Sequence, residues 1–548
     1  MTTVDPPEDG AVAARGRVVF VGAGPGDPEL VTLAAVTALN EADVILADSA
    51  DLLDLLQQSL VHIAPDALVT TIEHLTAGAD LDGAERADLV RQAQSGGRVV
   101  VRLVPGDPFL DGDATNEAAA LVRFGLDFEV VPGVSRLTAI PEYAGVALGK
   151  GSEIHLVDAA QEDFFDAADR RWGAVPTLVT RTRTRFLPRL ADTAEAAGRV
   201  PDEAVLVTFS GGTTEQRTNL TKLADLRRGD AAADPDEEII VIFGHAVSEY
   251  SADLDWFESK PLFGWRVLVP RTKDLVSPVL ARLRSHGARV EEVPTIAVEQ
   301  PRNPGQLDKA VRGLVEGRYE WIAFTSRNAV RAVRERFDDY GLDARSFSGV
   351  KVAAATAGTV EALHAWGIDA DLVGGPEGTL ASLAQDFPEF EAGFNPINRV
   401  FLPKADVSTD AFIEALGGLG WEVEETVAYR TVRAAPPPVE TREAIKQGDF
   451  DAVVFSSSST VRNLVGIAGK PHAITVVAAI GPATANTCEA HGLRVDVVAP
   501  APTGVALADA LAEFATRRRE ELLTRGEAVA RPSQHRRHRR RRPRLPIE

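Results

Sequence analysis

Short apolar runs separated by longer amphipathic stretches set the rhythm of the chain. Residues 17–21, closed by the turn Gly22-Ala23-Gly24-Pro25-Gly26, read as a strand. The stretch 29–41 predicts a helix, and 44–47 a second strand. Later runs, IIVIFG at 239–244 and ITVVAAIG at 474–481, have the size of buried strands, and none approaches the ~18 residues of a membrane span. At residues 256–273 the pattern breaks. An acidic, aromatic segment, WFESKPLFG, runs straight into RVLVPRT, an apolar strand that ends at a basic turn. The chain divides there into two α/β regions.

The second region repeats itself. RVLVPRT at 266–272 returns as RVFLPKA at 399–405, and WIAFTSRNAVRAV at 321–333 as AVVFSSSSTVRNLV at 452–465. VAAATAGTVEALHAWGIDADLV at 352–373 returns as VVAAIGPATANTCEAHGLRVDVV at 476–498. Matched segments in one order predict two similar α/β lobes facing a cleft. In each copy a strand ends in small hydroxylated residues that open a helix, and such helix N-termini favour anions. On these residues alone, the region fits a two-lobed sugar- or amino-acid-binding protein as well as an enzyme.

Composition changes this picture at a few points. A chain of 548 residues is too long for one core and suggests three or four domains at about 150 residues each. The single cysteine, Cys488, excludes an intramolecular disulfide and a multi-cysteine zinc site, and its helical surroundings mark it as core. No metal site is expected. Residues 1–16, read as disordered, lack the apolar segment of a secretory signal, so a cytoplasmic location is expected. The net charge of −22 is unevenly spread: residues 517–548 hold twelve arginines against four acidic residues, +8, which leaves −30 for the rest. An acidic body argues against a nucleic-acid partner. The Arg-rich tail, without aromatic residues or helical periodicity, reads as a disordered, solvated extension.

The glycine turn taken alone is weak evidence. Its G-x-G-x-G-D-P spacing departs from the dinucleotide fingerprint, because proline and aspartate interrupt the helix N-terminus that a pyrophosphate needs. Its surroundings are more specific. VGAGPGDPELVTLAAVTALNEADVIL resembles the opening of the tetrapyrrole methylases, in particular uroporphyrinogen-III C-methyltransferase. Similar segments follow in order: GGRVVVRLVPGDPF at 96–109, FEVVPGVS at 128–135, EYAGVAL at 142–148, SGGTTEQRTNLTKLADL at 210–226, EEIIVIFGHAV at 237–247, then WFESKPLFG. The resemblance implies two α/β domains over residues 17–260, with S-adenosylmethionine in the cleft between them and pairing into a homodimer. It places Pro25, Gly106, Asp107, Leu110, Ser135, Thr182 and Gly212 at cofactor-contact positions. Asp107 would accept a hydrogen bond from a ribose hydroxyl or the methionine ammonium. Asp48, after the second strand, matches the family's proton acceptor. The chain also departs from the family: Pro105 replaces a glycine, and Asp113 stands where an arginine would help to hold a polycarboxylate substrate. ALGKG (147–151) replaces Pro-Leu-Thr-His-Arg, and the proton-donor lysine falls near Thr70.

FTSRNAV, AYRTV, FSSSSTV and IGPATA resemble uroporphyrinogen-III synthase. That resemblance implies a two-lobed fold of repeated flavodoxin-like α/β lobes over residues 265–516, lobe one from 265–298 and 433–516, lobe two from 299–432. Two extended crossings, 295–299 and 429–433, would form a hinge. The implied reaction cyclises hydroxymethylbilane with loss of water and inversion of ring D, and depends on orientation more than on acid–base chemistry. Tyr429 is the candidate to assist hydroxyl departure. Thr325, Ser326, Asn328, Ser456, Ser457 and Thr484 are candidate carboxylate contacts, and Arg271 and Lys404, equivalent in the repeat, are candidate cleft charges. Together the resemblances imply a fused enzyme of tetrapyrrole biosynthesis, making uroporphyrinogen III and methylating it towards precorrin-2. The alternatives are a synthase with a methylase-like domain that does not turn over, and a two-lobed ligand-binding or regulatory protein.

Overall fold

The computed structural model describes residues 16–58, 63–64, 66–78, 81–111, 114–149, 153–167, 175–228, 234–271, 278–375, 380–406 and 409–534. They form two compact units, one reaching Trp265 and including Leu283–Arg289, the other comprising Arg266–Arg282 and the chain from Val290 onward. Asp113, the end of ALGKG, and residues 1–15 and 535–548 lie outside the described residues.

The first unit is built on two five-stranded sheets. One is wholly parallel, with Leu68–Thr71, Val44–Ala47, Val100–Val104, Val18–Gly22 and Phe128–Val131 in that spatial order. Its central strands, Arg102 excepted, are apolar on both faces because helices cover both. Val19, Val21, Ile45 and Leu103 pack on one face, and Val18, Phe20, Leu46 and Val100 on the other. The residues predicted to start a helix at 29 instead form a short 3-10 turn, Pro28–Leu30, capped by the Asp27 carboxylate. Thr32 then caps the helix Leu33–Asn40. The second sheet is mixed, in the order Ile154–Ala159, Thr177–Arg183, Glu238–Gly244, Ala204–Phe209 and Arg217–Lys222.

The second unit bears out the internal repeat. One sheet runs Arg289–Pro294, Arg266–Arg271, Ala452–Phe455, Val476–Ala479, Val497–Val498. The other runs Glu422–Arg433, Arg399–Ala405, Trp321–Phe324, Lys351–Ala354, Leu372–Val373, with Ile296–Glu299 added at its edge. Strands matched in sequence occupy matched positions, and the first sheet has the flavodoxin order 2-1-3-4-5. The expected hinge differs in detail. Residues 296–299 and 430–433 are one antiparallel ladder, Ile296 opposite Arg433 and Glu299 opposite Arg430, so both crossings belong to the six-stranded sheet of lobe two. The backbone groups of two bare crossings would need water, whereas pairing satisfies them within the fold.

The expected start of a disordered tail at residue 517 falls inside a helix, Gly504–Thr524. Beyond it, Pro532 is buried, and the Ser533 N–H donates to Asp451 at 2.9 Å.

Candidate active sites

In the first unit, glycines bring three strand ends together at the carboxyl edge of the parallel sheet. Gly106 N–H donates to Gly24 O at 2.8 Å, and Gly24 N–H to Gly106 O at 3.3 Å. Gly106 has φ +62°, and a Cβ there would lie 2.1 Å from an Asp111 carboxylate oxygen. A Cβ on Gly22 would stand 2.5 Å from Gly106 O, so the contact tolerates no side chain. The chain leaves the neighbouring strands Val18–Gly22 and Val100–Val104 in opposite directions, which makes this edge a topological switch point. The second sheet supplies Gly212, φ +75°, whose Cβ would meet Pro25 O at 2.8 Å. Pro25, Gly106 and Gly212 therefore gather where the loops of the two sheets meet, with Leu110 exposed nearby in sequence.

The Asp107 side chain serves this turn. It accepts from the amides of Phe109 and Leu110 at 3.0 Å each and from Gly133 at 3.2 Å. The carboxylate thus caps its own turn. Ser135 donates to Asp111 at 2.8 Å and caps the helix Arg136–Tyr143, while Thr182 is fully buried and donates to Ala159 O at 2.9 Å. Asp111, not singled out in the sequence, is the hub: completely buried, it also accepts from the amides of Asp107 at 2.7 Å and Arg136 at 2.9 Å.

Asp48 ends the strand Val44–Ala47, partly exposed, and is ion-paired to the guanidinium of Arg102. Arg102 is also paired to Glu117 at 2.9 Å. A second ionic chain ties the helix Arg136–Tyr143 to the second sheet, from Arg136 through Glu238 to Arg181, 3.1 Å further on, and then to Asp158. Burial raises the Glu238 carboxyl, and the two arginines more than reverse this, leaving it below its ordinary value. The segment WFESKPLFG closes the unit: Trp256 Nε1 donates to Glu142 O at 3.0 Å, and Tyr143 packs edge-on against Phe257 at 4.5 Å. The Tyr143 hydroxyl donates to Asp27 at 2.7 Å, and burial together with that carboxylate pushes the phenol far above its usual range.

In the second unit, Tyr429 is buried on the strand Glu422–Arg433, its hydroxyl 2.9 Å from Ser326 Oγ. Ser326 caps the helix Arg327–Asp339 by accepting from Ala329 N at 3.2 Å. Tyr429 and Asn328 border a cavity of about 80 Å³ beside the hinge ladder, with Val298 and Gln300. Ser457 caps the matching helix Ser458–Ala468 in the other lobe. Ser456 is exposed and Thr325 half-buried, whereas Thr484 is buried. Arg271 and Lys404 are both ion-paired within their lobes. Arg271 pairs with Glu292, and Lys404 with Glu425 at 2.6 Å. The two pairs are themselves copies, since EEV at 291–293 matches EET at 424–426 in the repeat.

The family model for tetrapyrrole (corrin/porphyrin) methylases matches residues 17–227, and that for uroporphyrinogen-III synthase HemD matches residues 277–509. A porphyrin biosynthesis protein HemD from Ruminiclostridium josui is 26% identical over 91% of this chain and 98% of its own length. The uroporphyrinogen-III synthase of Synechococcus elongatus is 31% identical over 44% of this chain and 91% of its own. An S-adenosyl-L-methionine-dependent uroporphyrinogen III methyltransferase of Methanosarcina barkeri is 30% identical over 38% of this chain and 84% of its own. The chain is a tetrapyrrole methylase fused to a uroporphyrinogen-III synthase.

Within the methylase, the positions named from the resemblance split into two groups. Pro25, Gly106 and Gly212 bring bare backbone together, whereas Asp107, Ser135 and Thr182 spend their side chains inside the protein. Within the synthase, Ser326, Asn328 and Tyr429 come together on lobe two, and Ser456 and Ser457 on lobe one. The sequence reading missed Asp111, Arg102 and Glu117. A charged residue inside the otherwise apolar run VVVRLV was the available signal for Arg102.

Proposed function

We propose that the two halves carry out successive steps of tetrapyrrole biosynthesis, cyclisation of hydroxymethylbilane to uroporphyrinogen III and methylation of that product. The observation that carries the reading is the tandem match of both families on one chain, together with a relative aligned along nearly its whole length. In the synthase, Tyr429 would assist loss of the substrate hydroxyl by hydrogen bonding, its own hydroxyl being held by Ser326. Hydroxyls and helix N-termini at Thr325, Ser326, Asn328, Ser456 and Ser457 would receive acetate and propionate groups.

In the methylase, the bare backbone at Pro25, Gly106 and Gly212 fits a nucleoside-type donor, and these residues with Leu110 would hold S-adenosylmethionine. When bound, that donor supplies a methyl group on a sulfonium. Carbon–carbon bond formation at the tetrapyrrole leaves the macrocycle cationic, and Asp48 would take the proton that restores neutrality. Pairing of two chains through the methylase and a cytoplasmic setting belong to the same proposal and rest on family resemblance. No described helix is long and apolar enough to cross a membrane.

The test uses the full chain. Hydroxymethylbilane should yield the type III isomer, and S-adenosylmethionine labelled in its methyl group should label added uroporphyrinogen III. Formation of the type I isomer alone rejects the synthase assignment, and absence of label rejects the methyltransferase assignment.

A further inference from the structure

We propose that Arg102 and Glu117 are positioning residues for methyl transfer and act through Asp48. This rests on the reading of the first half as an active methyltransferase with Asp48 as proton acceptor. Arg102 lies on the strand Val100–Val104, whose other residues are apolar, and its face of the sheet carries Leu46, Val100, Ala118 and Leu121. It is fully buried, the largest such side chain described in the chain. Replacing a buried ion pair with apolar side chains is often neutral or stabilising, so stability does not explain an arginine here.

Its geometry gives it direction. Nε donates to Glu117 at 2.9 Å, Nη1 to Leu103 O at 3.0 Å, and Nη2 to Asp48 Oδ1. All three nitrogens are engaged, so the planar fork cannot turn. Glu117, 1% exposed, sits in the first turn of the helix Ala114–Arg123, and burial raises its carboxyl by more than the Arg102 guanidinium lowers it. Burial works against the charge on Arg102, and the carboxylates of Asp48 and Glu117 outweigh it, so the guanidinium stays charged. Of the three, only Asp48 reaches solvent, with 28% of its side chain exposed against 1% for each of the others. It does so at the end of the sheet where the glycine turns gather, its amide bonded to Leu103 O at 3.2 Å. The row Glu117–Arg102–Asp48 therefore runs from the core to the site. It holds Oδ1, which Arg86 Nη1 also approaches at 3.8 Å.

The experiment compares full-length Glu117→Gln, Arg102→Met and Arg102→Lys with the unaltered chain, measuring kcat and KM for methylation of uroporphyrinogen III. Binding of S-adenosylmethionine is followed by calorimetry, and cyclisation on the same chain serves as a folding control. Glu117→Gln and Arg102→Met should lower kcat about tenfold or more, with donor binding and cyclisation unchanged. Arg102→Lys should restore part of the rate. Adding Arg102→Met to Asp48→Asn should cost nothing further. Full additivity with Asp48→Asn, or no recovery in Arg102→Lys, overturns the proposal, and Glu117→Gln with Arg102→Lys decides it if Arg102→Met fails to fold. If Asp48→Asn methylates normally, the role of Asp48 itself is lost. No label even in the unaltered chain rejects the methyltransferase reading.

Discussion

Gly106 touches Gly24 through two backbone hydrogen bonds and lies against the Asp111 carboxylate, so its missing side chain is a requirement of the site. A Gly106→Ala substitution would combine a φ of +62° with a Cβ 2.1 Å from Asp111. The expected cost is about 2 kcal/mol or more, read as a lower melting temperature. Binding of S-adenosylmethionine should weaken as well, while cyclisation is retained. Cys488 offers a pH-dependent check at the same scale. Burial pushes its thiol to about 11, so in the folded chain it stays protonated and inert towards thiol reagents at pH 8. Because the folded value lies above the unfolded one, its contribution to stability is complete below the unfolded value and is lost as pH rises through about 11. Labelling with a chromogenic disulfide should appear only on unfolding. Residue types with local causes were legible in the sequence, such as the caps Ser326 and Ser457 and the turn glycines. Partners were not. Asp48 and Arg102 are separated by 54 positions, and no local period marks that Asp107 would fold onto its own turn.

At the scale of elements, the repeat was legible because matching strands carry matching runs, and the sheet order follows from it. The antiparallel ladder between Ile296–Glu299 and Glu422–Arg433 was not, since each strand reads alone as an extended crossing. Nor was the segment after the helix Gly504–Thr524, whose arginines suggested solvent. It packs back through a single buried carboxylate. Asp451, completely buried, accepts from Arg266 N at 2.9 Å and from Ser533 N at 2.9 Å. Truncation after Thr524 removes one of these donors and leaves the carboxylate under-bonded, at a cost of about 1–3 kcal/mol. The melting temperature of the chain should fall, whereas truncation after Gln534 should leave it unchanged. Equal loss from both truncations would mean that the contribution comes from beyond Gln534.

At the scale of the whole molecule, residues 256–273 read as a change of pattern, and the chain first passes from one compact unit to the other between Trp265 and Arg266. Each unit holds its own candidate chemistry in its own core. Asp48 is tied to Arg102 and Glu117 inside the first, and Tyr429 to Ser326 inside the second. Since the partners named for each set lie in its own unit among the described residues, a substitution in one should act on one step only. Asp48→Asn should lower methylation of supplied uroporphyrinogen III by about 100-fold or more while cyclisation of hydroxymethylbilane proceeds at the original rate. Tyr429→Phe should slow cyclisation by about 10- to 100-fold and spare methylation of supplied substrate. Starting from hydroxymethylbilane, both variants should fail to make methylated product for different reasons, Asp48→Asn accumulating uroporphyrinogen III and Tyr429→Phe the type I isomer that forms without the enzyme. Chromatography of the isomers beside methyl-label counting separates these outcomes. Loss of both steps in either variant would instead show that the two halves depend on each other for activity.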